Sequence, residues 1–350
     1  MADSTDADLR TLRDSVRAVL AEQGGAPAEA WDRRSGFDRD LWARLSGDLG
    51  LAGLATPEPL GGSGGGFREL AVVLEECGRG LYAGPLLPTV LTLDALLHGE
   101  PVDKDLIGDL AGGGRLGAVA PSLPAAVSEI RWADGGLVGT ARHVVGAADA
   151  DVAVVEVGSG ELFLVDLRAR GVTVASRTVL DPTRGLADIS FDGAAAVRLA
   201  GEDGARRLRC AAAVALACEQ VGGAEAALEA AVAYAKVRTQ FGRPIGSFQS
   251  VKHLLAEIYL DVESGAAAAR RAAAALDDDD PELEILASIA KAWCSRMYTE
   301  AVEGGLQVHG GIGFTWEHPS HHHLRRAKTS ELLFGDCGRH RTHLADLLGL

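Results

Sequence analysis

The pattern of apolar and polar positions changes texture twice along the chain. Up to about residue 115 the spacing is helical. Leu9, Leu12, Val16, Val19 and Leu20 recur at three- and four-residue intervals, forming one stripe on a helix that Ser4 or Thr5 would cap. A second helix is expected near 38–49, ending before Gly50 and Gly53. The stretch 56–66, TPEPLGGSGGG, has the composition of a loop. The helix FRELAVVLEECGRGL follows it, with Leu70, Val73, Leu74 and Cys77 on one face.

From about 116 to 198 the apolar runs shorten and become β-branched. They lie at Gly117–Ala120, Leu137–Val145, Asp151–Val157, Leu162–Leu167 and Val172–Ala175, punctuated by the turn dipeptides Asp134-Gly135 and Ser159-Gly160. Short strands at regular spacing predict a small all-β barrel or sandwich. After about 199 the pattern turns into long alanine-rich helices, 205–237 and 248–276. A third is opened by Asp280-Pro281-Glu282 acting as N-cap, first-turn proline and first-turn acid. The acidic run Asp277–Asp280 reads as a solvated connection between helices of an antiparallel bundle. The expected domains are therefore 1–115 (helical), 116–198 (β) and 199–350 (helical bundle), an α+β multidomain chain with its chemistry where the layers meet.

Composition narrows the partners. A chain of 350 residues with 47% hydrophobic and 24% charged residues is ordered and long enough for two or three domains. A net charge of −15 argues against nucleic acid or an anionic membrane surface, since the summed field repels phosphate. Five cysteines, an odd number without a CxxC pair, argue against a disulfide framework or structural zinc. The N-terminal MADSTDADLRTLRDSV carries early acids and no apolar core of a secretory signal, and no run of consecutive apolar residues is long enough to span a bilayer. A cytoplasmic location is expected.

Two segments carry specific chemistry: RTQFGRPIGSFQSVKH at 238–253 and QVHGGIGFTWE at 307–317. Arg238 is a permanently charged planar fork suited to a pyrophosphate. The Gly242–Gly246 turn reverses the chain, and Ser247 is placed to cap a helix with Phe248 and Gln249 in its first turn. Gly310, Gly311 and Gly313 let backbone amides approach a ligand. Together with Pro57-Glu58 and Gly61-Gly62, and with the helical–β–helical order, these segments resemble the acyl-CoA dehydrogenase family over nearly the whole chain.

That resemblance implies the family fold: an N-terminal helical domain, a middle β-barrel or sandwich and a C-terminal four-helix bundle. It also implies the cofactor FAD, held at its ADP end for a neighbouring subunit by Arg238, Gln240, Phe248, Gln249, Gln307, His309, Gly310 and Gly311. The implied reaction is α,β-desaturation of an acyl-CoA thioester, with electrons passing to an electron-transfer flavoprotein.

The sequence departs from the family where the reaction needs a carboxylate in a dry pocket. In the commonest arrangement a Glu precedes a Gly-Thr pair; here Phe334 holds that position and Asp336 replaces the threonine. The alternative position, on an earlier helix, falls near Ala212, with Glu219 about two helical turns away. The segments that hold the flavin ring in the family correspond to Ala118–Ser122 and Gly139–Val145, which lack its motifs. A chain that keeps the ADP-end residues without the base resembles the non-catalytic β-type subunit of actinobacterial heteromeric α2β2 acyl-CoA dehydrogenases, several of which act on steroid side-chain thioesters. Its implied partner is a homologous catalytic subunit. Two other readings stay open: a self-sufficient dehydrogenase with a relocated base such as Asp336, and a flavin-free scaffold or acyl-binding subunit.

Other features are weaker. His318, His321, His322 and His323 include one i,i+4 pair, yet consecutive helical residues point about 100° apart, so no metal is assigned. The glycines at 61–66 lack the Lys-Ser/Thr of a phosphate loop. Cys337 reads as a core or interface residue, with His340 as the one basic partner able to activate it.

Overall fold

The computed structural model describes residues 5–22, 37–101, 103–122, 129–158 and 160–350. Ser4 and Ser159, named above as a cap and a turn residue, lie outside them.

The first region is helical as expected. Helix α1 (Asp6–Ala21) is capped by Thr5, whose side chain accepts from the Asp8 amide while Asp8 reaches back to the Thr5 amide. The helix expected over 38–49 is shorter, α2 (Arg39–Ala43), and runs on into a wider π turn at Arg44–Asp48. Helix α3 (Phe67–Arg79) buries the stripe read from its sequence. The pattern singled out neither α4 (Leu86–Leu97) nor α5 (Lys104–Ala111). Helix α4 is buried on nearly every side, so it shows no polar face from which a period can be read.

The middle region is a sandwich of two four-stranded sheets. One has the order β1 (Gly117–Ala120), β4 (Val152–Val157), β5 (Glu161–Asp166), β8 (Val197–Ala200). The other runs β2 (Arg131–Ala133), β3 (Gly136–Val145), β7 (Leu186–Ala194), β6 (Val172–Ser176). Asp134 and Gly135 both take positive φ in the tight turn that joins β2 to β3. The core between the sheets is built from residues such as Leu137, Val155, Phe163, Ile189 and Phe191.

The C-terminal region has three long helices, α6 (Glu202–Val237), α7 (Gln249–Asp277) and α8 (Leu283–His309), completed by α9 (Ser320–Leu332) and α10 (Cys337–Leu348). Helix α8 begins two residues later than expected, because Asp280 accepts from the Glu282 amide in a turn outside the helix. Helix α6 is long and apolar enough to cross a membrane by length and composition, but it is the central strut here, packed against α3, α7 and α8. Its small residues permit that. A Cβ on Gly222 would lie 1.7 Å from the Glu75 carbonyl oxygen, and one on Gly78 would lie 1.8 Å from that of Glu219, so α3 and α6 cross with their backbones nearly touching.

The acidic run after α7 is more than a solvated connection. Asp277 accepts from the backbone amides of Phe67 at 2.6 Å and Arg68 at 3.0 Å, capping α3 from another region of the chain. Asp278 pairs with Arg68 and Asp279 with Arg207, so this corner docks the first region onto the bundle. Replacing Asp277 with alanine uncaps α3, and urea denaturation should show a loss of roughly 1–2 kcal/mol; an unchanged midpoint would contradict the docking role.

Candidate functional site

All three regions meet around one side chain. Arg326, on α9, is 1% exposed, a position no guanidinium tolerates without acceptors on all sides. It donates to Asp181 at 2.7 Å, to Glu219 on α6, to the Thr183 carbonyl at 3.1 Å and to the Tyr82 carbonyl at 3.0 Å. Arg184 donates to the same Glu219 at 2.6 Å. Asp181, Thr183 and Arg184 belong to the β6–β7 connection and Tyr82 to the N-terminal region. Two arginines balance two acids, which is what makes burial of four charges tolerable. Beside them the Tyr298 hydroxyl bonds the buried His323 ring at 2.9 Å.

Beyond this cluster lies a cleft of about 420 Å3, and three of the segments where the sequence departs from the family line it: Val119–Ser122, Thr140–Val145 and Leu332–Phe334. Several of its polar groups are already engaged within the protein. The Ser122 amide donates to Glu156 at 2.8 Å, the His143 amide to Asp188 at 3.0 Å, and Thr140 shares a hydrogen bond with Ser190. A flavin ring needs donors and acceptors at its edge, and these two amides and the Thr140 hydroxyl are already engaged elsewhere. Phe334 sits at φ 58°, a left-handed conformation rarely adopted by an aromatic residue. Two buried groups hold it there. His340 bonds the Phe334 carbonyl at 3.0 Å, and the Lys291 amine donates to the carbonyls of Ser330, Glu331 and Gly335 at 3.1, 3.3 and 3.0 Å. Burial pulls Lys291 down to about 7, while three carbonyls in contact favour the ammonium.

The one acid lining this cleft among the described residues is Glu129, which is exposed and lies 3.5 Å from Arg142. Among the described residues each buried acid faces an arginine: Glu75 and Glu76 with Arg13, Glu156 with Arg209, Asp181 and Glu219 with Arg326, and Asp188 with Arg177. Arg177 holds Asp188 down at about 2. Ala212 is fully buried within α6. Asp336 is the N-cap of α10, accepting from the Arg339 amide at 2.8 Å. His340 engages Ser288 and Phe334 through its two ring nitrogens, so it does not activate Cys337.

The residues tied to the ADP end of FAD gather at the opposite, exposed end of the bundle. Arg238 terminates α6 and leads into a two-stranded hairpin, Thr239–Gln240 paired with Arg243–Pro244, closed by Phe241 and Gly242 at positive φ. Ile245 after the hairpin packs on Ala231, Ala235 and Val308, which brings the two motif segments together. The Arg238 guanidinium is exposed and has no partner among the described residues. Gln240 bonds only the Thr239 carbonyl, and Arg243 stacks over the Phe248 ring at 4.1 Å. Phe248, not Ser247, occupies the N-cap position of α7, and Gln249 is its exposed first residue. The Ser247 hydroxyl is buried without a partner. Gln307 is exposed, whereas His309 is buried, bonded to the Gly305 carbonyl at 2.7 Å and packed between Tyr234 and His318. Nothing lies within 4 Å of a Cβ built on Gly310 or Gly311. An exposed cation and open backbone at glycines are features that suit a diphosphate. The remaining histidines diverge: His321 packs on Trp316 and His322, while His323 turns inward to Tyr298.

Models of the acyl-CoA dehydrogenase N-terminal and C-terminal domains match residues 6–100 and 211–348. The chain belongs to the acyl-CoA dehydrogenase family. It is 35% identical over 328 residues to the acyl-CoA dehydrogenase IpdE2 of Mycobacterium tuberculosis, covering 93% of this chain and 92% of that protein. Against FadE34 of the same organism it is 36% identical over 97% of its length, spanning 47% of that longer protein. Among solved structures it is similar to the Tcur3481-Tcur3483 steroid acyl-CoA dehydrogenase, in its G363A variant (TM-score 0.92, 29% identity, 98% of both chains). It is also similar to the ChsE4-ChsE5 complex of M. tuberculosis (TM-score 0.89, 28% identity, 99% of this chain and 98% of that chain). Family members are oxidoreductases that generally bind FAD, and the family's helical–β–helical fold is the one seen here.

The sequence pointed to Glu219 as a nearby acid, but it showed neither the cluster that Glu219 forms with Arg326, Asp181 and Arg184 nor the buried Lys291. Two predictions follow from the buried groups. Arg326→Met strands Asp181 in the interior and should lower stability by on the order of 3–5 kcal/mol in denaturant titrations. Burial holds His323 and His340 near 4, below the usual imidazole value, so the unfolded chain takes up protons that the folded one refuses as pH falls from 6.5 to 4. The melting temperature should therefore drop across that window, and less steeply in His323→Phe.

Proposed function

We propose that this chain is the non-catalytic subunit of a heteromeric, FAD-dependent acyl-CoA dehydrogenase that desaturates an acyl-CoA thioester between its α and β carbons. Arg238, Gln240, Phe248, Gln249, Gln307, His309, Gly310 and Gly311 contribute the ADP end of a flavin site whose ring half and catalytic carboxylate come from a homologous partner in an α2β2 assembly. The observation that carries this reading is the contrast between the two ends of the molecule. At the cleft beside Phe334 the amides of Ser122 and His143 are already hydrogen-bonded, and the one lining acid among the described residues, Glu129, lies 3.5 Å from Arg142. Arg238 is exposed and without a partner among the described residues, at the end of the bundle that carries Gly310 and Gly311.

Bound FAD supplies the acceptor for the hydride that leaves the β carbon. This chain's residues supply binding and orientation only. The Arg238 fork matches two phosphate oxygens, and the amides at Gly310 and Gly311 approach the diphosphate. The steroid dehydrogenase and the two-component complex named above support a heteromeric arrangement, and electron-transfer flavoprotein is the electron acceptor this reading implies.

Arg238→Ala tests it. In the complex with a catalytic chain the substitution should reduce FAD affinity by roughly tenfold or more, read as flavin lost on gel filtration, with the assembly intact. Unchanged flavin content would remove this chain from the cofactor site.

A further inference from the structure

Lys291 is 0% exposed and forms no ion pair among the described residues. Its four hydrogen-bond partners are neutral oxygens: Ser295 Oγ at 2.8 Å and the carbonyls of Ser330, Glu331 and Gly335. Each side of this cage has a structural origin. Ser330 and Glu331 lie in the last turn of α9, where carbonyls have no partner within the helix and carry the negative end of its dipole. Gly335, at φ 98°, turns the chain just before α10. Ser295 stands one turn beyond Lys291 on α8, and its hydroxyl proton is directed at Gln220 Oε1 on α6, 3.4 Å away, which leaves a lone pair for the amine.

A cage that offers only lone pairs selects a cation. An ammonium has three N–H donors and no acceptor, whereas a neutral amine would turn a lone pair of its own toward one of the four oxygens. Rings of backbone carbonyls hold bare monovalent cations in the same way, by replacing the hydration shell. His340 bonds the neighbouring Phe334 carbonyl, so the carbonyls of this turn are engaged from both sides.

We propose that the cage formed by the end of α9, Gly335 and Ser295 is a monovalent-cation site that this chain fills with its own ammonium. Emptied of the lysine, the site takes a primary ammonium ion from solution, and its occupancy fixes the turn that places Phe334 on the wall of the cleft. The inference does not rest on the subunit role proposed above.

Lys291→Ala removes the equivalent of one n-propylammonium ion, which is therefore the probe. The readout is deuterium uptake over residues 330–337, measured by mass spectrometry on the full chain, within its complex where it is purified as one. Uptake there should be about tenfold or more faster in Lys291→Ala than in wild type. Added n-propylammonium chloride should restore protection. Neither n-propanol, which fills the same space without charge, nor tetramethylammonium, which has no N–H, should do so. If Lys291→Ala does not fold unaided, the yield of refolded chain with each additive is read instead, with the same order expected. Lys291→Met keeps the bulk without the charge, and should show the faster uptake with no response to n-propylammonium. Three outcomes would overturn the proposal: wild-type uptake in Lys291→Met, equal rescue of Lys291→Ala by n-propanol, or no response of Lys291→Ala to n-propylammonium.

Discussion

One buried guanidinium sets the architecture. Arg326 is permanently charged and almost wholly removed from water, so it persists only where acceptors close around it. Those acceptors come from the N-terminal region, the β sandwich and the central helix, which ties the three regions to a common point. The close crossing of α3 and α6 at Gly78 and Gly222 holds the two helices there with their backbones in contact. The cluster also governs the chemistry around it. It pairs Glu219 and Asp181 with arginines, and its Arg184 and Glu219 line a cavity.

Much of the fold was legible because much of it is periodic. The stripes of α1 and α3 and the turn dipeptide before β3 are local patterns, and the structure keeps them. Strand β7 escaped because Asp188 interrupts its apolar run, and that buried charge is met by Arg177, 11 residues earlier just after β6, and by the His143 amide on β3. Helix α4 escaped because burial on all sides erases the period. Asp277 was misjudged as solvated because its partners, the amides of Phe67 and Arg68, lie about two hundred residues away along the chain.

The candidate site divides in the same way. The motif segments at 238–249 and 307–311 are contiguous strings and could be read directly, as could the absence of a carboxylate at Phe334. The Arg326 cluster could not, since its hydrogen bonds reach across 107 to 244 residues. Only the fold reveals that the departures at Val119–Ser122, Thr140–Val145 and Phe334 all line one cleft. That convergence is what supports a division of labour, with one end of the molecule closed by internal hydrogen bonds and the other open to a diphosphate. Lys291 and His340 show that the closed end is held by design of its packing: both groups are buried in order to fix the turn that carries Phe334.

The central claim is that this chain completes a flavin site without owning one. The most direct test is flavin stoichiometry, measured by absorbance for the chain expressed alone and co-expressed with a homologous dehydrogenase chain that carries the carboxylate. The account predicts a colourless lone chain and a yellow complex with a single flavin for each pair of chains. A lone chain that purifies with full flavin occupancy and desaturates an acyl-CoA would contradict it.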